Sequence, residues 1–188
     1  MRNNINVLFV CTGNICRSPM AEYLFRGRLG PNQPWTAGSA GLAAVDGLAA
    51  SQTAIEVMNK VGIDIKTHRS RELTGELIDA ATIILVMTEN QALETKKRFP
   101  KARDRVHLLG TINQDPGNHA AGSLPKLGQP ACNAMRSIAG RGPAVAGKDI
   151  SDPVGASVEF YRRTMNDIAG CLDGLIRYLQ SLQENKHP

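Results

Sequence analysis

The chain is expected to fold as an α/β domain: a three-layer, doubly wound, mainly parallel sheet of about four strands, flanked by helices and closed by one long C-terminal helix. Three observations predict this. Ile5 to Val10 (INVLFV) and Thr82 to Met87 (TIILVM) are short apolar runs of the kind found in strands covered on both faces. Segments with helical spacing follow both of them, and strand–helix alternation implies parallel pairing. The last part of the chain repeats apolar residues at three- and four-residue steps.

The first run is bounded by Asn residues and leads through the Gly13-Asn14 loop to Ser18-Pro19, a cap residue and a proline suited to a helix start. That helix carries Met20, Leu24 and Leu29. Trp35 to Ala37 reads as a short second strand. Ala50 to Val61 reads as a helix through Ala54, Ile55, Met58 and Val61, ended by Gly62. After the TIILVM strand a helix is expected from about Asn90 to Phe99, stopped by Pro100, and then a short strand over Arg105 to Leu109. Val158, Tyr161, Met165, Ile168, Cys171 or Leu172, Leu175, Leu179 and Leu182 define the long amphipathic helix, expected to pack on its own sheet.

Length and composition fit a single domain, residues 1–188. The 188 residues are 42% hydrophobic and 21% charged, enough to enclose a substantial core. Residues 111–148 are the exception, with six Gly, four Pro and no Phe, Trp or Tyr, and read as a surface insertion. Its basic residues Lys126, Arg136, Arg141 and Lys148 leave two readings open, a substrate-selecting lid or a tolerated loop.

No signal-like segment opens the chain and no apolar run reaches membrane-span length, so a cytoplasmic, membrane-free protein is expected, and it is taken as a monomer. Cys11, Cys16, Cys132 and Cys171 lack the spacing of a disulfide framework or a zinc site, so free thiols and no metal are expected. The net charge of +5 gathers partly at Lys96, Lys97, Arg98, Lys101, Arg103 and Arg105, which read as a solvated helix end. No nucleic-acid motif accompanies them, and no nucleic-acid partner is expected.

Chemistry concentrates in Cys11-Thr12-Gly13-Asn14-Ile15-Cys16-Arg17-Ser18. A thiol at the carboxyl end of a buried strand faces the crevice where open parallel sheets bind ligands. A tight loop entering a helix offers backbone N–H groups to an oxyanion such as inorganic phosphate, and Arg17 adds a bidentate fork. The same field favours the thiolate of Cys11. Gly13 is expected where the loop tightens, Asn14 where left-handed backbone is needed, and Ser18 as a donor to the sulfur. A bare Cys-x5-Arg pair recurs by chance, and a strand-end cysteine is often a small core residue. Here the surrounding residues all agree.

The segment VLFVCTGNICRSPMAEYLF closely resembles the active-site region of low-molecular-weight protein tyrosine phosphatases. Ser39-Ala40-Gly41, the ILVM strand and Asp152-Pro153 extend the similarity over most of the chain outside the insertion. The resemblance implies a cofactor-free hydrolysis of phosphorylated protein through a phosphocysteine on Cys11. Arg17 and the amides of Thr12 to Ser18 would hold the phosphoryl oxygens, and Asp152 would be general acid and then base. Asn14, Ser18 and Ser39 match positions that brace the loop, although each also reads as a turn former, helix cap or loop residue. Asp115-Pro116 is a rival Asp-Pro, and either carboxylate could merely start a turn. His68 matches a buried histidine of the family, although a lone histidine is more often structural. Cys16 could close a protective disulfide with Cys11 or be a buried helix-start thiol.

The match departs from animal members at Val154-Gly155 and Leu42-Ala43-Ala44-Val45, which replace aromatic walls around the phosphotyrosine ring. DPVGASVEFY is nearer to bacterial members, some of which act on phosphoarginine and carry Thr at the position of Ile15. An apolar Ile15 favours an aromatic leaving group, so phosphotyrosine leads and phosphoarginine is the alternative. A thioredoxin-coupled arsenate reductase would need cysteines between Thr82 and Pro100, where there are none. An inactive phosphoprotein-binding module is disfavoured by retention of Cys11, Arg17 and Asp152.

Overall fold

A computed structural model describes residues 4–29, 34–112 and 149–184, with side chains described as far as Ile176 and again at Leu179. The elements in order are β1 (Ile5–Cys11), α1 (Arg17–Arg28), β2 (Trp35–Gly41), α2 (Gln52–Lys60), α3 (Gly75–Ala80), β3 (Ile83–Val86), α4 (Glu89–Arg98), β4 (Val106–Leu108) and α5 (Val158–Glu184). Short 3-10 turns at Pro100–Arg105 and Leu109–Thr111 flank β4. Residues 113–148, and with them Asp115, Cys132 and most of the expected insertion, lie outside the described residues.

The four strands form one sheet in the order β2-β1-β3-β4, every pair parallel. The chain therefore runs from β1 outward to β2 and then crosses back to the other side of β1. That reversal lies between β1 and β3, where open α/β sheets leave a crevice at the carboxyl ends of their strands. Cys11 is the last residue of β1 and pairs with Gly41, the last of β2. The sheet thus delivers the thiol to the mouth of the crevice.

Period-2 alternation explains why β1 and β3 are apolar throughout. Val7, Phe9, Ile83 and Leu85 pack toward α1, α2 and α5, whereas Leu8, Val10, Ile84 and Val86 pack toward the α3 and α4 side. Phe9 meets Phe25 of α1 edge to face, with ring centroids 5.9 Å apart. The α5 stripe buries Tyr161, Met165, Ile168, Cys171, Leu172 and Leu175 in the same cluster. Ser157 starts that helix, accepting from the Phe160 N–H at 3.3 Å.

Several boundaries differ from the expectation. β2 runs on to Gly41 instead of ending at Ala37, because its small residues pair along the whole of β1, a tertiary effect invisible to local propensity. α3 was not expected. It is six residues long, buries only Ile78, and is started by Thr74, which accepts from the Leu77 N–H at 3.4 Å. Val61 is 49% exposed and follows the end of α2, while Val57 takes the buried position. The basic cluster is not simply a solvated face. Arg98 donates to the Leu42 carbonyl and Arg105 to the Ile78 and Ala81 carbonyls, so these two side chains tie loops to the sheet.

Candidate active site

The loop between β1 and α1 is held by donors and acceptors that fix one another. The Arg71 N–H donates to Asn14 Oδ1 at 3.0 Å, so the Asn14 amide must present its NH2 group on the other side. That group donates to Ser18 Oγ at 2.8 Å and to Ser39 Oγ at 2.9 Å. Ser39 passes its proton toward Glu22 Oε2 at 2.7 Å, and Glu22 is paired with Arg26 at 2.9 Å. Ser18 Oγ lies 3.0 Å from the Cys11 sulfur and donates to the Ala40 carbonyl at 3.4 Å; a Cys11 thiolate can only accept, and the same hydroxyl proton is within reach of it. Ser18 is thus placed to donate to a Cys11 thiolate and does not cap the helix. α1 begins at Arg17, and no side chain caps it.

Asn14 carries φ +54°, the left-handed backbone that its short amide side chain tolerates. Its carbonyl accepts from His68 Nε2 at 2.8 Å, which fixes the proton on that nitrogen. Burial holds His68 below the ordinary histidine range, consistent with a neutral ring in a structural role. Gly13 has no special demand, since an added Cβ would meet only Ile15 Cγ1 at 3.7 Å. The demanding glycine is Gly41. A Cβ there would lie 2.5 Å from the Thr12 carbonyl oxygen and 3.0 Å from the Asn14 nitrogen. The loop can settle on β2 only because that side chain is missing.

Cys16 points away from the loop interior. Its sulfur bonds Ser51 Oγ at 3.2 Å and Tyr161 Oη at 3.3 Å, and the Ser51 N–H donates to the Ile15 carbonyl at 2.8 Å. Burial raises the Cys16 pKa and pushes Tyr161 up to about 12, so both hold their protons at neutral pH. Ile15 is half-buried against the α1 side of the core.

Arg17, only 4% exposed, donates to the Ile150 carbonyl at 3.2 Å and to the Asp152 carboxylate. The Asp152 side chain is 48% exposed, so the pair spans from the floor of the crevice to its mouth. The Asp152 segment is anchored by the Ile150 N–H on the Met87 carbonyl at 2.8 Å and by Asp149, which accepts from the Glu89 N–H at 2.8 Å. A cleft of about 460 Å³ opens here, lined by Thr12, Leu42, Ala43 and Gln91 as well as Arg17 and Asp152. Leu42 and Ala43 form its apolar wall, and among the described residues no aromatic side chain lines it.

Every expected loop residue, with Ser39 and Asp152, is thus brought to one locus. Glu22, Arg71 and Gln91 are added to it. Gln91 is 6% exposed, accepts from the Met87 N–H at 3.0 Å and donates to Thr12 Oγ at 3.1 Å. The spacing Thr88-x-x-Gln91 at the start of α4 is a capping-box signature, and Thr88 does accept from the Gln91 N–H at 3.2 Å. That signal locates a helix start but does not reveal the reach to Thr12. Among the described residues no group of three His, Cys, Asp or Glu side chains is placed to hold a metal ion. No described helix is long and apolar enough to cross a membrane.

A thiol at a strand end, a hydroxyl aimed at its sulfur and an arginine in the same turn define a phosphatase of the cysteine-nucleophile class. Comparison with known proteins narrows this. Residues 6–124 match the family described as low molecular weight phosphotyrosine protein phosphatase, and the chain belongs to that family. It is 45% identical over 108 residues, 57% of this chain and 72% of the relative, to a probable low molecular weight protein-tyrosine-phosphatase of Ralstonia solanacearum. It is also 33% identical over 177 residues, 94% of this chain and 97% of the relative, to a protein-arginine-phosphatase of Geobacillus stearothermophilus. The solved structure of an arginine phosphatase from that organism superposes with a TM-score of 0.76 at 32% identity, covering 98% of both chains. A low molecular weight protein tyrosine phosphatase from T. tengcongensis superposes with a TM-score of 0.71 at 31% identity, covering 92% of this chain and 98% of that one.

Proposed function

We propose that the enzyme is a protein tyrosine phosphatase in which Cys11 is the nucleophile, Arg17 the phosphate clamp and Asp152 the general acid and base. The observation that carries the reading is the Ser18 hydroxyl 3.0 Å from the Cys11 sulfur, beside a cleft that Arg17 and Asp152 line together. The thiolate attacks phosphorus, forming the S–P bond while the P–O ester bond breaks. The electron pair leaves on the ester oxygen, which takes a proton from Asp152. Water then attacks the phosphocysteine and gives a proton to the Asp152 carboxylate. The S–P bond breaks, and the thiolate and inorganic phosphate are released. Arg17 and the amides of Thr12 to Ser18 hold the equatorial oxygens throughout.

The leaving phenolate is a poor one unless protonated, which is why a carboxyl at the cleft mouth matters. The apolar wall of Leu42 and Ala43 suits the ring of a phosphotyrosine. A second reading, protein-arginine phosphatase, is favoured by the near full-length match to enzymes of that name. Peptides bearing phosphotyrosine and phosphoarginine, assayed side by side on wild type and Cys11→Ser, test both. A large preference for phosphotyrosine is expected, abolished in the variant. A preference for phosphoarginine reverses the ranking, and an active Cys11→Ser rejects the mechanism.

The reading takes the chain as one catalytic domain acting as a cytoplasmic monomer. Three buried free thiols, Cys11, Cys16 and Cys171, support a reducing compartment. Oxidation by a peroxide could join Cys11 to Cys16 only if Cys16 left Ser51 and Tyr161.

A further inference from the structure

The Thr12 side chain has an orientation that the phosphoryl-transfer chemistry does not use. The Met87 N–H can only donate, so the Gln91 atom facing it is the amide oxygen, and the Gln91 NH2 group therefore faces Thr12. Thr12 Oγ must accept that bond at 3.1 Å. Its own proton is left over, and among the described residues no other partner of that hydroxyl is recorded. The hydroxyl stands on an exposed residue that lines the cleft, whereas Arg17, which lines it too, and Cys11 behind it are buried. What reaches that exposed residue is the part of the substrate beyond the phosphoryl group.

We propose that the Thr12 hydroxyl, turned outward by Gln91, donates a hydrogen bond to a main-chain carbonyl of the phosphorylated peptide and so selects protein over small phosphomonoesters. Gln91 is a positioning residue in this arrangement. It is fixed by the Met87 N–H on one side and polarises the hydroxyl on the other. The proposal rests on the phosphocysteine reading above and assigns part of its substrate recognition.

The test compares kcat/KM for a phosphopeptide with kcat/KM for p-nitrophenyl phosphate, which lacks any peptide carbonyl. Thr12→Val is expected to lower the peptide-to-small-substrate ratio roughly fivefold, the size of one neutral hydrogen bond. Thr12→Ser keeps the hydroxyl and should restore the ratio, which separates recognition from loss of loop structure. Gln91→Glu supplies a pH readout. An ionised carboxylate can only accept, so it draws the Thr12 proton inward and lowers the ratio, and its protonated form restores it. Wild type should show no such pH-dependent ratio. An unchanged ratio in Thr12→Val, or a Thr12→Ser variant no better than Thr12→Val, overturns the assignment while leaving the mechanism standing. A wild type that hydrolyses neither substrate rejects the mechanism itself, and the assignment with it.

Discussion

The carboxylate of Asp152 sits on the guanidinium of Arg17, joining the start of α1 to the segment before α5 across the mouth of the cleft. One partner is buried and the other half-exposed, so the bond is a latch at the entrance rather than a core ion pair. An incoming phosphoryl group and Asp152 want the same N–H donors. Binding must therefore release the carboxylate from Arg17, and the released group is left beside the leaving atom that it is proposed to protonate.

Replacing Asp152 by Asn should lower turnover of p-nitrophenyl phosphate by about 10²- to 10⁴-fold, the usual contribution of a positioned acid. Inorganic phosphate should inhibit this variant more tightly, because a charged competitor for Arg17 has been removed. Asp115→Asn should stay near wild type. Steady-state kinetics with phosphate as inhibitor check all three, and turnover within threefold of wild type for Asp152→Asn would refute the role.

Loss of the Ser18 hydroxyl removes a donor to the Cys11 sulfur and leaves part of the Asn14 amide without its acceptor. Ser18→Ala should reduce kcat by about 10- to 100-fold, the scale of one hydrogen bond to a charged group. Pre-steady-state kinetics should place the loss in the attack of the thiol. An unaltered kcat would mean that the hydroxyl braces the loop without assisting the sulfur.

Gly41→Ala forces a methyl group into space held by the Thr12 carbonyl and the Asn14 nitrogen. These two obstacles are backbone, a third is the Ala44 Cβ at 2.8 Å, and none of them can swing aside. A stability loss of about 1–3 kcal/mol is expected, together with reduced kcat/KM as the loop shifts. Urea unfolding and peptide hydrolysis on the same preparation measure the two effects.

The loop was legible because strand end, thiol, arginine and helix start occupy eight consecutive residues, each locally consistent with the others. The role of Asp152 came from resemblance alone, since nothing in Asp-Pro-Val-Gly announces that its carboxylate meets a residue 135 positions earlier. Glu22, Arg71 and Gln91 were hidden for the same reason. Their partners Ser39, Asn14 and Thr12 lie 17, 57 and 79 residues away, and helix or loop patterning carries no trace of such pairings. Local spacing also misplaced the demand for glycine, which falls on Gly41 of the neighbouring strand and not on Gly13.

His107 in β4 is largely buried, and its Nε2 has no hydrogen-bond partner among the described residues. Burial first, and then the nearby Lys96, lower its pKa from 6.5 to about 4. The folded state thus resists a proton that the unfolded chain accepts. Its contribution to stability is full above pH 6.5, drains away as pH falls toward 4, and levels off below that. The total is at most roughly 3 kcal/mol. Urea midpoints measured across this range should fall with acid in wild type and fall less in His107→Gln.

Cys16 shares its hydrogen bond with Tyr161, a residue added to the chain 145 positions later. During synthesis the phosphate loop emerges among the first segments, yet it stays unfinished until α5 has left the ribosome and folded back. At about 5–20 residues per second that interval is on the order of ten seconds. A nascent chain would carry its nucleophile early and acquire this support much later, which delays catalysis until α5 has docked.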